Sequence, residues 1–133
     1  MAIDYGTKRV GIAVTDPLQI IATGLTTVAT KDLFTFLQQY LSEEAVSCIV
    51  VGEPLDLNGH PAVVAPAIKT FKERLVKTFP DLRSESQDER FTSVDAKRII
   101  LQSGAKKKKR RDKALVDKIS AVLILQDFLE HQR

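Results

Sequence analysis

The chain has 133 residues, 44% of them hydrophobic, which is the size of one ordinary domain with enough apolar side chains for a buried core. Six of its 20 Lys and Arg residues form one run, Lys106 to Arg111, so the remaining residues carry 14 basic against 17 acidic side chains. The single cysteine, Cys48, excludes an internal disulfide and fits a reducing compartment. No apolar run reaches the roughly 18 residues of a membrane span and no signal-peptide pattern is present, so we expect a cytoplasmic protein without membrane contact.

The first part of the chain is predicted to form three strands joined by short turns. Residues 2–4 make a short first strand, and the alternation of apolar and small residues predicts a second strand over 9–15. A third strand is expected around 25–29. Only three residues precede Asp4, so we expect the natural chain to begin a few residues earlier.

Helices and strands are then predicted to alternate. Thr30 is a candidate N-cap for a first helix that ends near Ser42. The wholly apolar segment 48–51 predicts a central strand, and the polar segment 83–87 predicts an edge strand. Apolar stripes and capping residues predict three further helices, at about 64–75, 92–104 and 114–129. The last helix is apolar on nearly every side, which predicts that it packs between the sheet and another layer.

This order predicts an α/β fold, with a mixed five-stranded sheet flanked by helices on both faces and strands one, four and five parallel in its middle. Open sheets of this kind bind ligands at the carboxyl ends of their parallel strands. Asp4 closes the first strand at that edge, and the acids of the segment 88–90 follow the fifth. Asp117 would join them if the last helix crosses the same edge, because small Ser120 and Ala121 permit close approach to the sheet.

Carboxylates that converge in this way repel one another, and a hard divalent cation held by oxygen ligands is the usual compensation. We therefore expect Mg²⁺ or Mn²⁺, which activates a water and stabilises the leaving oxygen in phosphodiester hydrolysis. Cys and His residues do not cluster in the manner of a zinc site. His60 and His131 are expected to be solvated.

The basic run predicts a nucleic-acid partner. A segment as dense in charge as Lys106-Lys107-Lys108-Lys109-Arg110-Arg111 cannot pack in a core and is stabilised beside a polyanion. We expect one domain over 1–133, with a mobile basic loop at about 104–113.

Four sequence blocks together resemble the ordered motifs of the YqgF/RuvX family, and the resemblance covers essentially the whole chain. The blocks are Asp4-Tyr5-Gly6-Thr7-Lys8-Arg9-Val10-Gly11-Ile12-Ala13-Val14-Thr15-Asp16, Val50-Val51-Gly52-Glu53-Pro54-Leu55 with Asn58-Gly59, Asp88-Glu89-Arg90-Phe91-Thr92-Ser93, and Asp117-Lys118-Ile119-Ser120-Ala121. Any one block is weak evidence, but their order and spacing, with a basic run before the last, are specific.

The resemblance implies a ribonuclease H-like fold related to RuvC resolvases. It implies a nuclease that acts on the 5′ end of pre-16S rRNA, in a ribosome-assembly context, or on the branched DNA of Holliday junctions. By position, Asp4 would be the metal ligand of the first strand and Asp117 that of the last helix. Glu89, or its neighbour Asp88, would be the acid between them.

Other motif positions are assigned by the same resemblance. Arg9 and Arg90 would contact phosphate or support the site, and Lys8 would bind the nucleic acid. Two positions depart from the family pattern: Glu53 stands where an apolar residue is commoner, and Lys118-Ile119-Ser120 replaces a run of small residues. Glu53 ends the fourth strand, near where RuvC-type enzymes place an acid, so it is a rival metal ligand.

Two alternatives to a nuclease start from the same residues. The Asp-x-Gly-Thr turn at Asp4 also resembles the first phosphate loop of the actin and sugar-kinase superfamily, but those proteins need two such domains and the chain supplies one. A nucleic-acid-binding module with the same fold and no hydrolysis is the second alternative. Whether the protein is a monomer or a homodimer is left open by the sequence.

Overall fold

A computed structural model describes residues 1–54, 64–89, 98, 99 and 112–131, with the side chains of Pro54, Asp88 and Glu89 outside the description. Five strands form one sheet in the order β3-β2-β1-β4-β5. They are β1 (Ala2–Tyr5), β2 (Arg9–Thr15), β3 (Ala22–Ala29), β4 (Cys48–Pro54) and β5 (Arg83–Glu89). β1, β4 and β5 are parallel, while β2 and β3 are antiparallel to their neighbours. The predicted mixed five-stranded sheet is confirmed.

The position of β5 in the sheet differs from one expectation and confirms another. β5 pairs with β4 alone among the described strands and so lies at the edge rather than in the middle. Its sequence, Arg-Ser-Glu-Ser-Gln-Asp-Glu, is polar throughout, as an edge strand exposed to water requires.

Three long helices are described: α1 (Leu33–Glu43), α2 (Ala65–Thr78) and α3 (Lys113–His131). A 3-10 turn over Thr30–Asp32 leads into α1. The prediction that Thr30 caps this helix is wrong, because its hydroxyl instead donates to the carbonyl of Gly6, at 2.7 Å. Thr30 thus ties the end of β3 to the turn between β1 and β2.

The larger part of the core lies between one face of the sheet and the helices α1 and α2. Ile3 of β1, Ile12 of β2 and Val51 of β4 are fully buried there. Phe71 of α2 is buried in the same cluster, and its ring stacks on Tyr5 at 4.9 Å between centroids. This face of the sheet is therefore covered by apolar side chains of two helices.

The other face of the sheet is covered by α3. Ala2, Ala13 and Val50 alternate with the residues of the first face and form a second cluster with Ala121 and Leu125 of α3. Small residues on both sides let the helix pack closely, as the sequence predicted for Ala121. The second layer expected outside α3 is not among the described residues.

Two sequence predictions fall largely outside the described residues. These are the helix at about 92–104, of which only Arg98 and Ile99 are described, both helical, and the basic loop at about 104–113, of which Asp112 and Lys113 are described. None of the described helices, including the 19-residue α3, has the length and apolarity to cross a membrane.

Candidate active site

Asp4 lies on the sheet face that α3 covers. It follows Ala2 by two residues in β1, so strand alternation gives the two side chains the same face. In the antiparallel register its partner on β2 is Gly11. Asp4 is half-buried, near the carboxyl end of a strand that is parallel to β4, which is where ligands bind in open α/β sheets.

Asp117 reaches the same place from α3. A Cβ built on Gly11 would lie 2.0 Å from the backbone oxygen of Asp117 and 3.0 Å from the nitrogen of Lys118. Only a glycine at this position allows the helix to come so near to β2. Because Gly11 is the register partner of Asp4, the two acids are brought to adjacent positions across a single residue.

Arg9 holds the carboxylate of Asp117. Its Nε donates a hydrogen bond of 2.6 Å to Oδ2 of Asp117, between residues 108 positions apart in sequence. Both side chains are partly buried. A charge-assisted hydrogen bond of this kind orients the carboxylate.

The pKa of Asp117 is raised above its ordinary value, and burial is the largest cause. The hydrogen bond from Arg9 and the charges of Arg9 and Lys113 lower this pKa, and the charge of Asp112 raises it further. The folded environment therefore disfavours the ionised carboxylate. A cation bound beside it would favour the ionised form.

Polar contacts cap the beginning of α3 and join it to the sheet. Oδ1 of Asp112 accepts hydrogen bonds from the backbone nitrogens of Ala114, at 3.0 Å, and Leu115, at 3.4 Å, as an N-cap does. The hydroxyl of Thr27, on β3, donates to the carbonyl of Ala114 at 2.6 Å. Thr27 of β3 therefore contacts the first turn of α3, one turn before Asp117.

Glu53 lies on the opposite face of the sheet from Asp4 and Asp117. It follows Val51 by two residues in β4 and so shares the face of Val51, whose side chain is buried under α1 and α2. Nζ of Lys72, from α2, donates to a carboxylate oxygen of Glu53 and, at 2.6 Å, to the hydroxyl of Ser86. The hydrogen bond from Lys72 is the largest cause of a lowered pKa at Glu53. Glu53 is therefore paired away from the two acids under α3.

The β5 acids are described by backbone position only. In the parallel register Asp88 is the partner of Glu53, and Glu89 that of Pro54. Glu89 follows Gln87 by two residues, and the Gln87 amide lies 3.5 Å from Nδ1 of His131 on α3. The strand position of Glu89 therefore belongs to the α3 face, and that of Asp88 to the α2 face.

The predicted cations are only partly within the described chain. Lys8 is exposed in the turn before β2, and Arg9 is directed to Asp117, while Arg90 and the run 106–111 lie outside the described residues. Among the side chains that the structure describes, no three His, Cys, Asp or Glu groups form a metal cluster. His131 is exposed, as predicted, and His60 lies outside the description.

Besides the bond between Arg9 and Asp117, sequence reasoning missed two features of this site. One is Lys72 as the partner of Glu53, which the sequence signals no more strongly than any other exposed helical lysine. The other is the contact of Gly11 with α3. A glycine inside a strand indicates the close approach of another backbone, so this contact could have been predicted from the sequence.

Ribonuclease H-like domains have a mixed sheet of this strand order. They also carry one acid at the end of the first strand and another on the last helix. A family model described as "RuvX: Holliday junction resolvase" matches residues 1–131. The chain belongs to the RuvX family, and it is accordingly a nuclease. Membership of a nuclease family implies in general a dependence on divalent metal ions.

Curated relatives of the chain are bacterial proteins named "Putative pre-16S rRNA nuclease". The relative from Flavobacterium psychrophilum is 49% identical over 129 residues, which cover 97% of this chain and 94% of the relative. That from Bacteroides thetaiotaomicron is 51% identical over 133 residues, covering 100% and 96%. That from Amoebophilus asiaticus is 52% identical over 129 residues, covering 97% and 92%.

Proposed function

We propose that the protein is a metal-dependent endonuclease that hydrolyses phosphodiester bonds in the 5′ region of pre-16S rRNA. The observation that carries this proposal is the pair of acids on one face of the sheet, Asp4 on β1 and Asp117 on α3, separated by Gly11. A burial-raised pKa at Asp117 supports it, since carboxylates that lack full compensation are typical of cation sites.

Glu89 is the acid that completes the site. Its strand position in β5 is on the same face of the sheet as Asp4 and Asp117. The strand position of Asp88 is on the opposite face, next to Glu53. Glu53 is left out of the proposed ligand set, because it lies on the far face and its carboxylate is paired with Lys72. The proposed ligands are therefore Asp4, Glu89 and Asp117.

Mg²⁺ or Mn²⁺ fits this donor set, which consists of carboxylate oxygens without sulfur or imidazole. When bound, such an ion supplies an activated water and charge stabilisation at the phosphate. The protein's own part is to hold the ligands rigidly. Asp4 is fixed by strand pairing with β2, and Asp117 by the packing of α3 on Gly11 and by the bond from Arg9.

The cationic residues are proposed to bind the nucleic-acid backbone. Lys8 is exposed in the turn that follows Asp4, Arg90 directly follows the acids of β5, and the run Lys106 to Arg111 precedes α3, which carries Asp117. Cations that lie close to the acidic residues in sequence are suited to hold a polyanion against the repulsion of the carboxylates. A pre-rRNA substrate further implies a cytoplasmic location.

Resolution of four-way DNA junctions is the second candidate, and the description of the matching family favours it. The two are separated by incubating the protein with end-labelled precursor 16S RNA and with a synthetic four-way DNA junction, each with Mg²⁺, Mn²⁺ or EDTA. We expect metal-dependent cleavage of the RNA that Asp4→Asn abolishes. Cleavage of the junction alone would establish the second candidate. Tight binding of either substrate without cleavage would establish the non-catalytic module instead.

A further inference from the structure

We infer that Arg9 is a positioning residue for Asp117, and that its role in the reaction is to orient this carboxylate rather than to bind the substrate backbone. The inference rests on the proposed function of Asp117 as a metal ligand. Of the two roles that the sequence leaves open for Arg9, phosphate contact and support of the site, it selects the second.

The geometry of the pair supports a positioning role. The bond of 2.6 Å runs from Nε of Arg9, an atom inside the side chain whose place is set by the strand that carries it. In a lysine the corresponding atom is a methylene carbon, and the ammonium lies one bond further out. The contact is thus specific to arginine and not only to a positive charge.

The backbone around Arg9 is fixed on both sides. A Cβ on Gly6 would lie 2.5 Å from the carbonyl oxygen of Arg9, so the turn before β2 closes tightly on the Arg9 backbone. The hydroxyl of Thr30 bonds to the carbonyl of Gly6, and the nitrogen of Thr30 bonds to the carbonyl of Lys8. Arg9 itself is paired with Ala29 in the sheet. The backbone from which the Arg9 side chain extends is therefore held in place by these contacts.

A second ion pair in the chain provides a comparison. Arg83 and Glu85, both on β5, are 2.8 Å apart, with 56% and 39% of their side chains exposed. For Arg9 and Asp117 these fractions are 34% and 25%. An exposed pair between neighbours on one strand contributes little to any structure. The Arg9 pair instead links the start of β2 to α3, beside the register position of Asp4.

The test compares Arg9→Gln and Arg9→Lys with Arg83→Gln, which removes the same type of cation from a carboxylate at the other end of the sheet. Single-turnover cleavage is measured over a range of enzyme concentrations at saturating Mg²⁺, to separate the maximal rate from the half-saturating concentration. Asp117→Asn is measured in parallel. We use precursor 16S RNA, or the four-way junction if that is the substrate cleaved by the wild type.

We expect both Arg9 variants to lower the maximal rate at least tenfold while the half-saturating concentration changes less than threefold. Arg83→Gln is expected to stay within twofold of the wild type in both quantities. A rise in the half-saturating concentration with an unchanged maximal rate would overturn the inference in favour of a phosphate contact. Wild-type rates for Arg9→Lys would show that charge alone suffices, and would also overturn it.

The parallel variant separates failure of the inference from failure of the proposed function. If Asp117→Asn is inactive and the Arg9 variants cleave at the wild-type rate, only the positioning role is overturned. If Asp117→Asn cleaves at the wild-type rate, Asp117 is not a ligand and both fall.

Discussion

The backbone of Asp117 lies so close to Gly11 that any side chain larger than hydrogen at residue 11 would collide with it. A Cβ at this position would be 2.0 Å from the carbonyl oxygen of Asp117, far inside van der Waals contact. This one contact sets the distance between α3 and the sheet at the acids. The geometry of the site therefore depends on the lack of a side chain at Gly11 as well as on the carboxylates of Asp4 and Asp117.

Gly11→Ala is expected to destabilise the protein by about 2 to 3 kcal/mol, because the atom that it meets belongs to the backbone and cannot rotate away. Cleavage activity should fall with it, since α3 must move outward. Gly24→Ala is the matched control: its new Cβ would meet the side chain of Lys118, 2.8 Å from Cγ, which can adjust. Chemical denaturation measures both variants, and equal losses of stability would contradict the account of Gly11.

Ser120 is fully buried on the sheet side of α3, and its hydroxyl makes no hydrogen bond with any group that the structure describes. Ser120→Ala should therefore stabilise the protein, by about 1 kcal/mol, since it removes an unsatisfied polar atom without opening a large cavity. Ser42→Ala, which removes an exposed hydroxyl bonded to the Gln39 carbonyl, should leave stability nearly unchanged. A loss of stability in Ser120→Ala would reveal that the hydroxyl is bonded.

The Glu53–Lys72 pair predicts a pH-dependent contribution to stability. The hydrogen bond from Lys72 lowers the pKa of Glu53 below its usual value near 4.5, so the folded state favours the ionised carboxylate. This contribution is present above the unfolded-state pKa and is lost as the pH falls through the lowered folded-state pKa. Because both side chains are partly exposed, we expect less than about 1 kcal/mol at pH 7.

Urea denaturation of Lys72→Met between pH 7 and pH 2 checks this. Its deficit in the free energy of unfolding should be present at pH 7 and shrink below about pH 4. Lys69→Met, which removes an exposed lysine one turn earlier on α2, corrects for the loss of a helical cation. A deficit that stays constant over the whole range would show that Lys72 acts through packing and not through Glu53.

The basic run makes a separate prediction about binding. Replacing Lys106 to Arg111 with glutamine should weaken nucleic-acid binding and flatten its dependence on salt, by up to about 0.9 log-log slope units for each duplex phosphate contact that is lost. Fluorescence anisotropy with labelled substrate at several salt concentrations, in EDTA, measures the slope without cleavage. An unchanged slope would show that the basic run does not contact the phosphates of the nucleic acid.

Much of the fold follows from local pattern in the sequence. The alternation over 9–15 gave the bounds of β2, and the apolar stripe gave α2 to within a few residues. β3 begins at Ala22, earlier than predicted, because its length is set by pairing with β2 as far as Thr15. The prediction that Thr30 caps α1 was wrong for a similar reason. Its bond to Gly6 joins segments that are distant in sequence, and local capping rules do not contain it.

The parts of the site that depend only on the topology of the sheet could be predicted from the sequence. Chain order and strand direction suffice to bring Asp4 and Asp117 to one region of the sheet. Strand alternation, applied to β4, also separates Glu53 from them. The bond between Arg9 and Asp117 was not predictable, because it joins side chains 108 residues apart whose meeting depends on the packing of α3 over Gly11.

The most direct test of the central claim compares two glutamates at neighbouring strand ends, Glu89 on β5 and Glu53 on β4. The measurement is the single-turnover rate of cleavage at saturating Mg²⁺ for Glu89→Gln and Glu53→Gln, which change charge and size alike. Since a metal contributes several kcal/mol to phosphodiester hydrolysis, Glu89→Gln should lose about a hundredfold or more, while Glu53→Gln should remain near the wild type. A wild-type rate for Glu89→Gln, with loss of cleavage in Glu53→Gln, would contradict the assignment of the metal site to the α3 face.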